Sequence, residues 1–549
     1  MAGDREPVRL GAIRRAGVLA LLPVVAFVLA VGLLPPVLLF ASALGTAGAG
    51  GLGTTLTDPV NAFAIENSVV QGGASAALAV AVGYPAGILL GRYDWPGRGV
   101  VRSLLLVPFL LPSVVVVVGV ENLFGTGGWL TRLFPPLVAL GHGLAGIVLV
   151  NVLFNAPLVA LLTAVGVEGA STTLEDQAAT LGAGPGRRFW DVWGPPSWIG
   201  AAAGAVLTFV FSALAFAAPL LLCGARCYTV EARVWALDQV YGLPDEGALL
   251  AFGLFVGMLA PTIAYGLLLQ RLRAGRAGVS PRTRPLPWHS PSTWGLVAVA
   301  LALLAGVVAL LAAILARSVV PPLGGVSGSG WTALFGAHVT TIVGLASTGA
   351  LVNTLLFATI ASIGALLLGI VSGFGLRMRP RSSSFIGALA FAPVVVSPVV
   401  LSFSLASLYR PAFGGESTVW MLILLSQTAL ALPFALQSLF VPLRQLPHGP
   451  REAAQTLGSG PFAAYLDVEL PSLRAGLVTA SLFAFALSLG EFTATYFLAT
   501  PRFTTLPVEL YRLDALRQAA PANALAALLV LVSLGTLLAV ALGGRRVEL

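Results

Sequence analysis

The stretch "REAAQTLGSGPFAAYLDVELPSL", residues 451–473, is a polar island between two long apolar runs, and "EDQAATLGAGPGRRFWDVWGPPSW" at 175–198 is a second one. The 549-residue chain around them is 57% apolar and 9% charged, with a mean hydropathy of +0.93. A water-soluble domain carries roughly a quarter charged residues, so this chain lacks the polar surface to face water. Apolar runs of about 20 residues recur along it, each long enough to cross a hydrocarbon core of roughly 30 Å as a helix. Composition and run length together predict an all-α polytopic membrane protein lying in a lipid bilayer. Weak period-2 patterning argues against a transmembrane β-barrel.

Runs bounded by charge, Gly and Pro predict twelve spans, near 17–44, 63–91, 101–124, 139–166, 197–222, 247–270, 293–316, 349–376, 384–409, 418–440, 472–498 and 520–542. The basic start and apolar stretch before Ala41-Ser42-Ala43 mimic a secretory signal, but the stretch exceeds the roughly 7–15 apolar residues of a signal core. It reads as a retained first span. All 30 basic residues are Arg. With a cytoplasmic N-terminus, 22 of them fall on the cytoplasmic side and 8 on the other. That bias predicts a multi-pass protein of the cell membrane with both termini and both islands inside. The net charge of +8 thus follows topology and does not point to nucleic acid. Cys223 and Cys227 are too few for a disulfide scaffold or a four-ligand zinc site, and their spacing is open to a local disulfide or two free thiols.

The Arg/Pro/Ser-rich segment "RLRAGRAGVSPRTRPLPWHSPS" at 271–292 divides the spans six and six. The sequence organisation is a first half over 1–271, a cytoplasmic linker over 272–292 and a second half over 293–549. The halves are homologous. An offset of 276 makes residues 176–200 and 452–476 identical at 10 of 25 positions, and also pairs Pro157 with Pro433, Ser212 with Ser488 and Arg226 with Arg502. Toward the start of each half the offset becomes 286, pairing Asn67 with Asn353 and Pro112 with Pro398. Both halves start inside, so the repeats are parallel.

Each island reads as a short helix, a glycine and a second short helix. Asp176 and Glu452 place negative charge near a helix N-terminus. Ala178 and Ala454 are small enough for close approach, Gly182 and Gly458 end the first helix, and Gly184-Pro185 and Gly460-Pro461 turn the chain. Pro195 and Pro471 mark the return to the membrane. A single such island reads equally well as an interfacial helix without a partner. Two at matching places, between the fourth and fifth spans of each half, point to a docking element.

The second island also carries the pattern E-A-A, three residues, Gly, nine residues, hydrophobic-x-L-P: Glu452-Ala453-Ala454, Gly458, Val468, Leu470, Pro471. This resembles the signature of ABC importer permeases. The first copy departs from it, with Asp176-Gln177-Ala178, Gly182, Val192, Gly194 and Pro195. The resemblance covers nearly the whole chain and implies a type I importer fold of twelve helices in two six-helix halves. It implies that 173–195 and 449–471 are coupling loops. Asp176, Ala178, Gly182, Pro195, Glu452, Ala453, Ala454, Gly458 and Pro471 would meet two copies of a cytoplasmic ATPase subunit. It further implies an extracytoplasmic binding protein that delivers the solute. ATP and magnesium would sit on the ATPase subunits, with no cofactor or metal in this chain. Without a lysine the chain has no P-loop, and it reads as a translocation subunit, not an enzyme. Its four histidines are scattered.

The fused form and stretches such as "VNVLFNAPL" (150–158) and "LSLGEFTATYFLATPRFTTLPVELYRL" (487–513) resemble fused thiamine permeases, with ferric-iron permeases as close relatives. Both solutes are cationic. Glu491, in the eleventh span, reads as a pathway carboxylate or, equally, as a structural hydrogen-bonder. Asn151 and Asn155, four apart in the fourth span, read first as glue between helices and second as path lining. Prolines 108, 112, 157, 219, 393, 398 and 433 are expected to bend spans. The competing class is a twelve-span secondary transporter, suggested by "GRYDWPGRG" at 91–99, which leaves the duplicated island unexplained.

Overall fold

The computed structural model describes residues 17–105, 107–170, 172–275, 283–320, 325–335, 347–378, 396–413 and 418–545. Ten helices among them are long and apolar enough to cross a membrane, and a pair bent by 78°, Pro461–Ser472 with Arg474–Leu489, makes an eleventh. The expected ninth span, 384–409, begins outside the described residues. Its later part is a helix over Pro398–Phe413.

The long helices used below are α1 (Gly17–Gly48), α2 (Pro59–Arg92), α3 (Ser113–Phe124) and α4 (Gly143–Glu168). After them come the short α5 (Thr172–Thr180), then α6 (Gly194–Ala213), α7 (Val230–Gln239) and α8 (Pro244–Gly275). The later set is α9 (Pro291–Arg317), α10 (Ser347–Met378), α11 (Pro398–Phe413), α12 (Val419–Gln445) and α13 (Gly449–Thr456). It ends with α14 (Arg474–Leu489), α15 (Thr493–Leu498), α16 (Leu506–Ala515) and α17 (Ala519–Arg545).

Several expected spans are shorter or broken. The third does not run through 101–124: its long helix starts at Ser113, because Pro112 supplies no amide hydrogen and caps it. The fifth ends at Ala213 and resumes at Ala217–Leu222. The eleventh ends at Leu489 and resumes at Thr493. These two breaks fall at matching positions, 276 residues apart. Of the prolines expected to bend spans, Pro157 and Pro433 lie inside long helices, whereas Pro112 and Pro398 begin helices. Pro393 lies outside the described residues. Cys223 and Cys227 form a disulfide, with Cα atoms 5.5 Å apart.

The contact units cut across the sequence halves. One gathers the first span to Gly45, Phe335–Arg512 and the chain from Leu531. The other gathers Thr46–Leu334 and Leu513–Val530. The opening span of each half is therefore packed into the unit formed by the other half's helices. In the first unit Leu21, Val24 and Val28 of α1 share a core with Leu432, Leu436 and Ala480, and the Tyr409 hydroxyl donates to the Ala30 carbonyl at 2.7 Å. In the second, Leu310 and Ile314 of α9 fill the space over Gly119, where a Cβ would lie 2.7 and 3.0 Å from their side chains.

Within the second unit α2 lies against α4 along Gly83, Gly87 and Gly91. A Cβ at these positions would meet the carbonyl oxygens of Ala156, Ala160 and Ala164 at 2.6, 2.5 and 2.7 Å. Small residues four apart let two backbones approach, which is how helices associate where the hydrophobic effect gives no help. Polar side chains then tie the helices: Gln71 donates to the Ser212 carbonyl at 2.5 Å and accepts from Asn151 at 2.8 Å.

The duplication survives as contacts even where the residues differ. Asn67 donates to the Tyr228 carbonyl at 3.1 Å, and Asn353 to the Thr504 carbonyl at 3.0 Å. Val230 N–H donates to Ser68 Oγ at 2.9 Å, and Leu506 N–H to Thr354 Oγ1 at 2.8 Å. Where Arg233 Nε donates to Asn61 Oδ1 at 2.8 Å, the matching pair is Ser347 Oγ donating to Glu509 Oε1 at 2.5 Å.

Two measurements follow from this packing. Gly87→Leu forces a side chain into the α4 backbone and should cost roughly 1–3 kcal/mol or more, seen as a lower melting temperature in detergent. Gly73→Leu, on the same helix with nothing within 4 Å, should leave it unchanged. Burial raises the Glu509 carboxyl from 4.5 to about 7. The folded protein then holds a proton between those values that the unfolded chain has lost, so stability falls as pH rises from about 4.5 through 7, by up to ~3 kcal/mol. Glu509→Gln should flatten that slope in a pH series of melting temperatures.

Candidate coupling site

The two islands fold alike from their first helix through the π-helical stretch. In the first, α5 ends as Leu181 N–H bonds the Gln177 carbonyl and Ala183 N–H the Ala178 carbonyl, at 3.1 and 2.9 Å. In the second, α13 ends with Leu457 N–H on Ala453 and Ser459 N–H on Ala454, at 3.1 and 3.0 Å. The residue that makes this turn is Gly182 with φ +84° or Gly458 with φ +96°, a left-handed conformation that costs a side chain dearly. Gly184 and Gly460 are extended, and Pro185 and Pro461 open a single helical turn. A π-helical stretch follows, Phe189–Trp193 or Tyr465–Glu469; the first runs straight on into α6, and the second reaches α14 through Leu470–Ser472 and a 78° bend. Each island is thus a plug that stands on the end of its bundle.

The outer surface of each plug is apolar at one matching point. Leu181 is 88% exposed and Leu457 89%, at the tip of the turn. Asp176, Gly182, Glu452, Ala453 and Gly458 are exposed, while Ala178 and Ala454 are half-buried. Pro195 and Pro471 lie where each plug leads back into a long helix. One expectation shifts: the first-turn acid of α5 is Glu175, with Asp176 one residue further in, whereas Glu452 does lie in the first turn of α13.

The undersides are held by buried charge, which the motif did not contain. Under the first plug, Glu175 is 3% exposed and receives Arg92 of α2 at 2.6 and 3.2 Å. The Arg92 guanidinium also lies 4.1 Å over the Trp193 ring. Under the second, Glu469 is 3% exposed and receives Arg377 of α10 at 2.6 Å. Tyr465 beside it donates to the Ile370 carbonyl at 3.0 Å. A carboxylate taken from water needs such a partner. At the 276 offset Glu175 aligns with Arg451 and Trp193 with Glu469. The acid has moved from the head of one plug to the π turn of the other, yet each grips an arginine at the end of its half's second span. Counting arginines for topology registered Arg92 and Arg377 as charges, but no spacing in the sequence tied them to these acids.

The candidate path residues take structural places. Asn151 bridges α4 to α2 through Gln71, and Asn155 donates to the Asn151 carbonyl at 2.9 Å. The Glu491 carboxylate accepts from the backbone of Ala494 and Thr495 at 2.7 and 2.8 Å and from the Thr495 hydroxyl at 2.6 Å. It caps α15 at the break in the eleventh span. Gln427, at the position matching Asn151, donates to that hydroxyl at 3.1 Å. Among the described residues no His, Cys, Asp and Glu group is arranged to hold a metal.

Comparison with known proteins places this arrangement. Residues 83–325 and 365–548 both match the family described as binding-protein-dependent transport system inner membrane component. The chain is 26% identical over 454 residues to the thiamine transport system permease protein ThiP of Escherichia coli (strain K12), covering 77% of each chain. It is 26% identical over 466 residues to ThiP of Brucella abortus (strain 2308), covering 80% of each. The molybdenum transport system permease protein ModB of Mycobacterium bovis is 30% identical over 218 residues, 39% of this chain and 80% of ModB. The match sets aside the secondary-transporter reading. Two family segments, each with an exposed plug on an arginine–carboxylate anchor, make the chain a member of the binding-protein-dependent transport system inner membrane component family, an ABC importer permease with both halves fused.

Proposed function

We propose that the chain is the passive gate of an importer driven by two cytoplasmic ATPase subunits, each gripping one plug. The observation that carries this is the pair of leucines, 88% and 89% exposed at matching tips. An apolar side chain held out on a rigid turn is a natural knob for a cleft on a partner. The family resemblance gives that partner as the ATPase. The excess of arginines supports a cytoplasmic position for both plugs and both termini. ATP-driven closure of the ATPase pair would draw the knobs together and switch the central path from inward- to outward-open, with a binding protein delivering solute outside.

The solute we propose is thiamine, ahead of ferric iron. The support is the similarity to thiamine transport system permease proteins along 77–80% of the chain. The halves of the gate would be 1–271 and 293–549, joined by the linker at 272–292.

In proteoliposomes holding the permease, its ATPase subunits and its binding protein, labelled thiamine should accumulate when ATP is supplied inside. Uptake by the permease alone on an ion gradient would overturn the reading. Leu457→Asp should lower uptake at least ~10-fold, a loss of about 1.4 kcal/mol of coupling, at normal membrane levels. Gly458→Asp, which forces a side chain into φ +96°, and Glu452→Lys should do the same. Unchanged ATP-driven uptake in all three would remove the plugs from the mechanism.

A further inference from the structure

We infer that the segment joining the two halves is a brace for the first plug, with Arg284 as its positioning residue; this rests on the reading that the plugs dock ATPase subunits. Glu175 is a hub for three guanidinium groups from three separate pieces of chain. Arg92 reaches it from the end of α2 at 2.6 Å, Arg188 from within the plug at 4.0 Å, and Arg284 from the linker at 3.5 Å. Arg284 also pairs with Asp176, the acid at the head of the first copy of the motif.

The linker is held in place at residues 284–286. Arg284 and Pro285 pair in parallel with Tyr93 and Asp94, directly after α2. Leu286, 7% exposed, packs in one apolar cluster with Leu90, Leu105 and Ala300, and Tyr93 and Trp95 lie against it. The Arg284 side chain therefore starts from an ordered backbone and ends on two adjacent acids of α5. An exposed ion pair alone contributes little. A guanidinium that completes the shell of a carboxylate only 3% exposed acts on orientation, because that carboxylate cannot turn outward without losing its partners.

The brace accounts for the asymmetry of the motif. The second plug is held by its own half through Glu469 and Arg377. The first carries its acid at position 175 and Asp176 beside it, where the linker arginine closes the grip. One departure of the first copy from the family pattern, Asp176, is the residue on which the linker arginine lands. Arg284 thus sets the angle at which Leu181 is presented.

The test uses the full chain assembled with its ATPase subunits. Cysteines replace Leu181 or Leu457, and each is cross-linked to a cysteine placed in the ATPase cleft. ATP hydrolysed per solute imported is measured in parallel. Arg284→Glu should lower the Leu181→Cys cross-link and raise the ATP cost per solute, each roughly fivefold, with the Leu457→Cys cross-link unchanged. Arg284→Lys, which keeps the charge, should restore most of both. Where Arg284→Glu does not reach the membrane, Arg284→Gln serves with the same expected direction. Unaltered Leu181→Cys cross-linking and ATP cost in the charge-removing variant would overturn the brace while the docking reading stood. Failure of both cysteines to cross-link with Arg284 intact would overturn the docking reading, and the brace with it.

Discussion

A carboxylate buried beneath each plug must find a guanidinium, and the rest of the site follows from that constraint. Glu175 and Glu469 are each 3% exposed, and ionised groups at that depth persist when paired and hydrogen-bonded. The partners, Arg92 and Arg377, sit at the ends of α2 and α10. Each pair welds a surface element to a long helix. A plug fixed this way is tied to its bundle, which the proposed transmission of force from motor to gate would require.

The duplication conserves positions and contacts more faithfully than residues. The left-handed glycine, the proline-led turn and the π stretch recur 276 residues apart. So do the helix breaks after Ala213 and Leu489. Elsewhere the contact remains while its chemistry inverts: Arg233 on Asn61 answers to Glu509 with Ser347. Such exchange is open to a pair because either polarity satisfies the two groups.

Helix packing supplies the stiffness that the plugs need. In lipid the helices gain little from burying apolar surface against each other, so close backbone approach and interhelical hydrogen bonds carry the association. The glycines of α2 against α4 and the Asn151–Gln71–Ser212 chain provide both. Glu491 and Asn151, which the sequence offered as path residues or, at least as readily, as hydrogen-bonding ties between helices, have structural partners here: one caps α15 and the other bridges helices.

The sequence by itself determined the membrane class, nearly all the spans, the duplication and the two plugs. These properties are local or periodic: apolar run length, a charge bias, a fixed offset, a glycine where the backbone must turn left-handed. Only the tertiary structure decided which acids lie beneath the plugs, that Glu175 and Glu469 occupy different repeat positions, and that the opening span of each half packs with the other half's helices. It also placed Arg284 of the linker on the first plug. These partners lie tens to hundreds of residues apart, and no periodicity records which distant arginine a buried carboxylate will meet. Packing, by bringing the chain's ends and middles together in a medium that tolerates no lone charge, makes that choice.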